Sequence, residues 1–186
     1  ANVGRAVYHS GTVGACLTAR NGGISGVAVS QSVDAFGVEG QGWEEALGSQ
    51  VWQGAGDVAA SAVGALIQDM PDEPIVLNIN VPNRLAEEMV GWKRTDVGHA
   101  PPRGLATAKL EPKPGAHDTY HVEMEWGDAI QIPESDDGGA VMAGYASLTW
   151  LGRLEGLTPH HPTMLATERA MDCLLYTSDA ADDPTC

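Results

Sequence analysis

The stretch PIVLNINVP, residues 74–82, decides the fold. Ile75, Val76, Leu77, Ile79 and Val81 form a short aliphatic run closed by a proline, which is the pattern of a strand in the core of a sheet. Asn78 and Asn80 stand two apart, share one face of that strand, and read as groups that satisfy neighbouring backbone. On the N-terminal side, Val51, Ala55, Val58, Ala59, Ala62, Val63, Leu66, Ile67 and Met70 follow the helical period, predicting a helix from Ser49 that Pro71 ends. Further back, GVAVS at 26–30 is a second apolar run bounded by glycine and polar residues, predicting a strand buried on both faces. A glycine-rich loop holding Trp43 occupies 37–48. Strand, helix and strand in this order imply a parallel sheet with a right-handed crossover, and hence the α/β class.

Toward the N-terminus, YHSGTVGACLTARNGG predicts a short helix over residues 11–20. Val13, Cys16 and Leu17 fall at i, i+3 and i+4, Ser10 or Gly11 caps the start, and Asn21-Gly22 ends it. A helix start leaves backbone N–H groups unpaired and carries a positive partial charge, so a phosphate fits there beside the Ser10 and Thr12 hydroxyls. Gly11 would let the phosphate oxygen approach the backbone closely. A serine or threonine in this position is more commonly only a cap.

After Pro82 the character changes. Residues 91–97 and 120–126 alternate apolar and polar, as strands with one wet face do, and 144–151 is another strand candidate. The proline-bearing segments 100–103 and 112–115 between them read as turn and extended chain. Together they read as an antiparallel extension of the kind that packs against a partner subunit. The expected organisation is 1–82 for the α/β part, 83–158 for the extension and 159–186 for a tail. Asp136-Asp137 beside Gly138-Gly139 could hold a cation but is more often turn chemistry, and His160-His161 read as solvated loop residues. NGGISG at 21–26 follows a helix and so is no dinucleotide fingerprint. No P-loop and no nucleophile elbow occur.

Composition excludes several classes. Ten Lys and Arg against 25 Asp and Glu give a formal charge of −15, which repels a polyanion and argues against nucleic-acid polymers as partners. No apolar run is long enough for a membrane helix. The three cysteines, Cys16, Cys173 and Cys186, show neither metal-ligand spacing nor a disulfide framework, so a soluble chain in the reducing cytoplasm is expected.

Read together, Asn2, YHSGTVGA at 8–15, GVAVS at 26–30, VLNINVP at 76–82 and GYASLT at 144–149 resemble the survival protein E (SurE) family of 5′/3′-nucleotidases. The match runs in order from Asn2 to about Leu154. The resemblance implies the latter part of a Rossmann-like parallel sheet, with an antiparallel β extension used in homodimers or homotetramers. It also implies a metal-dependent phosphatase, a hydrolase that splits a nucleoside monophosphate into nucleoside and phosphate with Mg2+ or Mn2+. Asn2, Ser10, Gly11 and Thr12 correspond to the phosphate-binding part of the family's site. The family's metal ligands are an adjacent pair of aspartates, a serine, and the asparagine of a Ser-Gly-Ile-Asn motif. None has a counterpart here, since Asn2, eight residues before Ser10, matches the family's second asparagine. These ligands are therefore expected upstream of Ala1, which no methionine precedes. CLLYTSDAADD at 173–183 resembles a translated sequencing adapter. The resemblance thus implies an N-terminally truncated fragment, inactive by itself. The competing reading is a non-catalytic fragment that binds anions and oligomerises.

Overall fold

The computed structural model describes residues 1–33, 47–100, 105–128, 130–156, 158 and 160–175. Most of the glycine-rich loop at 37–48 and the segment 101–103 lie outside the described residues. The chain divides into two units, Ala1–Gly152 and Arg153–Cys186.

The first unit is built on a sheet of four strands in the order β1-β2-β6-β3. These are β1 (Gly26–Gln31), β2 (Val76–Val81), β3 (Gly91–Arg94) and β6 (Tyr145–Trp150). β1 and β2 run parallel with Gly26 opposite Val76, as the strand–helix–strand order predicts. β6 pairs antiparallel with β2 and parallel with β3, so the sheet is mixed but mainly parallel. Every residue of β2 is buried. β1 is less covered than expected: it is the outer strand, and only Ala28 and Gln31 are buried.

A helix packs on each face. On one, Leu77, Ile79, Val81 and Ala146 meet Ala55, Val58, Ala62 and Leu66 of helix α2 (Trp52–Leu66). Each large aliphatic side chain removed from water there contributes about 1.5–3 kcal/mol. The helix is shorter than its 49–70 pattern, because Ile67 and Met70 are exposed and find no surface to pack on. The other face carries Ala28, in register with Asn78, and packs on helix α1 (Gly11–Asn21) through Val13, Cys16 and Leu17. The approach is close: a Cβ on Gly26 would stand 2.7 Å from Cys16 Cβ and 2.9 Å from its Cα.

The extension differs from its expectation. The segments 91–97 and 144–151 supply β3 and β6 of the main sheet, because alternation reveals a wet face but not which strand will be the neighbour. The antiparallel part among the described residues is a hairpin of β4 (Leu105–Pro112) and β5 (Tyr120–Trp126). β4 escaped notice because prolines flank and end it. Asp136-Asp137 opens a short helix, α3 (Asp137–Met142), where a turn was expected. In the second unit, Pro162–Leu175 forms helix α4. Cys173 is disulfide-bonded, where the sequence suggested no disulfide framework.

Candidate functional site

The residues singled out near the N-terminus lie on the Asn78 face of the sheet, toward the carboxyl ends of β1 and β2. Asn2 is anchored there by its main chain and its side chain together. Its N–H donates to Asn80 Oδ1 at 2.6 Å, and its carbonyl accepts from Asn78 Nδ2 at 3.0 Å and Asn80 Nδ2 at 3.1 Å. Its own Nδ2 donates to Ser30 Oγ at 2.6 Å. The Ala1 nitrogen extends the same line of contacts, donating to the carbonyl of Gln31 at 2.7 Å. Asn78 and Asn80 are completely buried, so these bonds are made away from competing water.

Two residues on, the chain is fixed again. The Gly4 N–H donates to both carboxylate oxygens of Asp137, at 2.9 and 3.0 Å. Asp137 Oδ1 also accepts from the N–H groups of Gly98 at 3.1 Å and Gly138 at 2.8 Å. Gly4 adopts φ +54°, and a Cβ there would lie 2.9 Å from the Ala100 carbonyl oxygen, so only glycine fits without strain. Burial pushes the Asp137 carboxyl above its ordinary pKa, although the three N–H groups oppose the shift and Asp136 adds to it. Asp137 thus clips the Gly4, Gly98 and Gly138 backbone together.

A 3-10 helix, Gly4–His9, with Val7 buried beneath it, leads to the start of α1. Ser10 is the cap: its Oγ accepts the Val13 N–H at 3.1 Å and its carbonyl accepts the Gly14 N–H at 2.8 Å. This leaves the Ser10 O–H free to donate to a further acceptor, so capping and anion binding are compatible. Gly11 and Thr12 are exposed, and as first-turn residues their N–H groups have no intrahelical acceptor. The structure therefore groups Ser10, Gly11 and Thr12 at one helix start. Asn2 stands over the strand ends, one 3-10 segment away.

Beneath Asn2 the sheet face is polar from strand to strand. Asn78 stands opposite Thr149 and Asn80 opposite Ser147, while the Thr95 hydroxyl bonds to Ser147 Oγ at 2.8 Å and Thr149 Oγ1 at 2.7 Å. Among the described residues Asn78 Oδ1 is buried with no hydrogen-bond partner. Ser30, Gly4 and Asp137 were not recognised as parts of this arrangement from sequence, because their contacts join residues far apart in the chain. The Asn78 and Asn80 reading is met, with the backbone they satisfy being that of Asn2.

Of the remaining candidates, Asp136 adjoins the Asp137 clip, both side chains standing beside Gly98. Asp136 lies beside Ser135, whose hydroxyl donates to Asp136 Oδ1 at 3.4 Å. His160 and His161 belong to the second unit and are exposed, His161 Nδ1 accepting the Thr163 N–H at 3.2 Å. Among the described residues no group of three or more His, Cys, Asp or Glu side chains is placed to hold a metal ion. The amides and hydroxyls around Asn2 are neutral, and the Asp137 carboxylate is occupied by N–H groups. A divalent cation needs anionic oxygen ligands, so this set does not fit one by itself.

Comparison with known proteins bears on the family and the fold. The family model described as Survival protein SurE matches residues 1–103 of the 186. Among solved structures, the SurE protein from Aquifex aeolicus is similar with a TM-score of 0.60 and 24% identity. The alignment covers 92% of this chain and 61% of that one, so the chain spans less than two thirds of that protein's length. The likeness extends to its Rossmann-like α/β architecture. With more than half of its residues matched by the family model, the chain belongs to the SurE family.

Proposed function

We propose that the protein to which this chain belongs is a phosphomonoesterase acting on nucleoside 5′- or 3′-monophosphates, and that Asn2, Ser10, Gly11 and Thr12 hold the phosphate. Membership of the SurE family, known for nucleotidase and phosphatase activity, supports the reaction class. The observation that carries the site is the Ser10-capped start of α1, with exposed first-turn N–H groups beside two hydroxyls. These donors match a tetrahedral oxyanion and orient it without a protein cation. Mg2+ or Mn2+, which the family relationship implies, finds no carboxylate set among the described residues, and no step is derived through it.

That same lack favours a second reading for the chain alone, in which it binds anions without hydrolysing them. The exposed Leu110, Tyr120 and Val122 of the hairpin support self-association as a homodimer or homotetramer. A cytoplasmic setting accords with the reading, and no helix among the described residues is long and apolar enough to cross a membrane.

Titration with inorganic phosphate, followed by backbone amide NMR shifts, tests the site. Saturable shifts are expected at Gly11, Thr12 and Val13, with affinity about tenfold to a hundredfold weaker in Ser10→Ala through loss of a charge-assisted hydrogen bond. Unchanged affinity would return Ser10 to a cap alone. Phosphate release from 5′-AMP with Mg2+ or Mn2+ separates the two readings: binding without release supports the second, and metal-dependent release the first.

A further inference from the structure

We propose that Asn80, assisted by Asn78, is a positioning residue of the phosphate site, acting through the backbone of Asn2. The inference rests on the functional reading above and deepens it. A primary amide carries a donor and an acceptor on one rigid plane, and Asn80 spends both on one residue: its Oδ1 takes the Asn2 N–H and its Nδ2 gives to the Asn2 carbonyl. Asn80 thereby offers Asn2 what a neighbouring strand would. Asn78 adds a second donor to the same carbonyl, so both lone pairs of that oxygen are engaged.

This arrangement is not general sheet packing. The opposite face of β2 is apolar, with Leu77, Ile79 and Val81 in the core. Burying two amides on the other face is costly unless their polar atoms are matched; Asn2 matches both polar atoms of Asn80 and the Nδ2 of Asn78, while Asn78 Oδ1 has no hydrogen-bond partner among the described residues. With its main chain held at three points, Asn2 directs its side chain to Ser30 Oγ. Two residues later Asp137 fixes Gly4, so the 3-10 segment that carries Ser10 starts from a fixed point. The segment that leads from Asn2 to the helix start is thus held by side chains of β2 and by Asp137. A loss at Asn80 should reach both Asn2 and the Ser10 turn.

The experiment compares Asn80→Ala, Asn78→Ala and Ile79→Val in the whole chain by two readouts: phosphate affinity, and hydrogen exchange of the Asn2 amide. Asn80→Ala is expected to weaken phosphate binding by about tenfold and to release Asn2 exchange, since it removes a donor and an acceptor together. Asn78→Ala, which spares the Asn2 N–H, should weaken binding by only about threefold and leave exchange slower than in Asn80→Ala. Ile79→Val lies on the same strand but faces α2. It should lower the unfolding temperature without changing either readout, which a merely structural role for Asn80 would not permit. Unaltered affinity and Asn2 protection in Asn80→Ala overturn the proposal. Should that variant not fold, Asn78→Ala decides by the same readouts, and wild-type values there overturn it. Failure of the unaltered chain to bind phosphate overturns the functional reading instead, and is told apart because Asn2 exchange still reports the clamp.

Discussion

At Asp137 two physical effects compete over one proton. Three backbone N–H groups favour the carboxylate, while complete burial favours the neutral acid, and burial is the larger. The folded state therefore binds the proton more tightly than the unfolded chain does. The stability this contributes is fully present below the unfolded pKa, near the ordinary carboxylate value of 3.8, and is lost as pH rises through the higher folded value. Urea unfolding at a series of pH values should show Asp137→Asn gaining relative to the wild type as pH rises from about 4. Parallel stability curves for the two proteins would refute this. The residue also marks a limit of sequence reading. Asp136-Asp137 looks like a cation pair or a turn, and nothing local reveals that its partner is Gly4, 133 positions away. Ser10 was legible as a cap because its partner is three residues along the chain.

Elements whose burial depends on one strong pattern were read well. α1 and β2 follow their predicted spans closely, since a helix with a cap and a glycine end, or an aliphatic run between prolines, specifies itself locally. The end of α2 and the partners of β3 and β6 depended on which surfaces stand opposite, which the local pattern does not carry. The packing of α1 on β1 is the sharpest test at this level. Gly26→Ala would place a methyl within 2.9 Å of Cys16 Cα, so helix and strand must separate. The expected cost is about 1–3 kcal/mol, measured by denaturant unfolding. A loss below about 0.5 kcal/mol, the scale of an ordinary surface change, would mean that α1 slides freely on the sheet.

Among the described residues the hairpin is short of partners. Leu110 stands opposite Val122 and Pro112 opposite Tyr120, so these side chains share one face, and β4 and β5 pack chiefly on each other. A lone two-stranded ribbon is marginal in water, and a second copy of the chain is the cover proposed above. Val122→Glu should shift the protein to a smaller species in sedimentation or light scattering, and an unchanged mass would place the oligomer contact elsewhere. The fold class was legible at this scale because strand–helix–strand order has few topological outcomes. The site was legible only in its helix start, because the clamp around Asn2 is assembled from four distant segments.

The strand order carries a consequence for how the chain is made. β6 sits between β2 and β3, so the interior of the sheet is occupied by the last of its strands to leave the ribosome. Until Trp150 has emerged, β2 presents an unsatisfied hydrogen-bonding edge, and β3 lacks its one neighbour among the described strands. Closure of the sheet is therefore a late, long-range event, which slows folding and gives the nascent chain a window of vulnerability to aggregation and to chaperone capture.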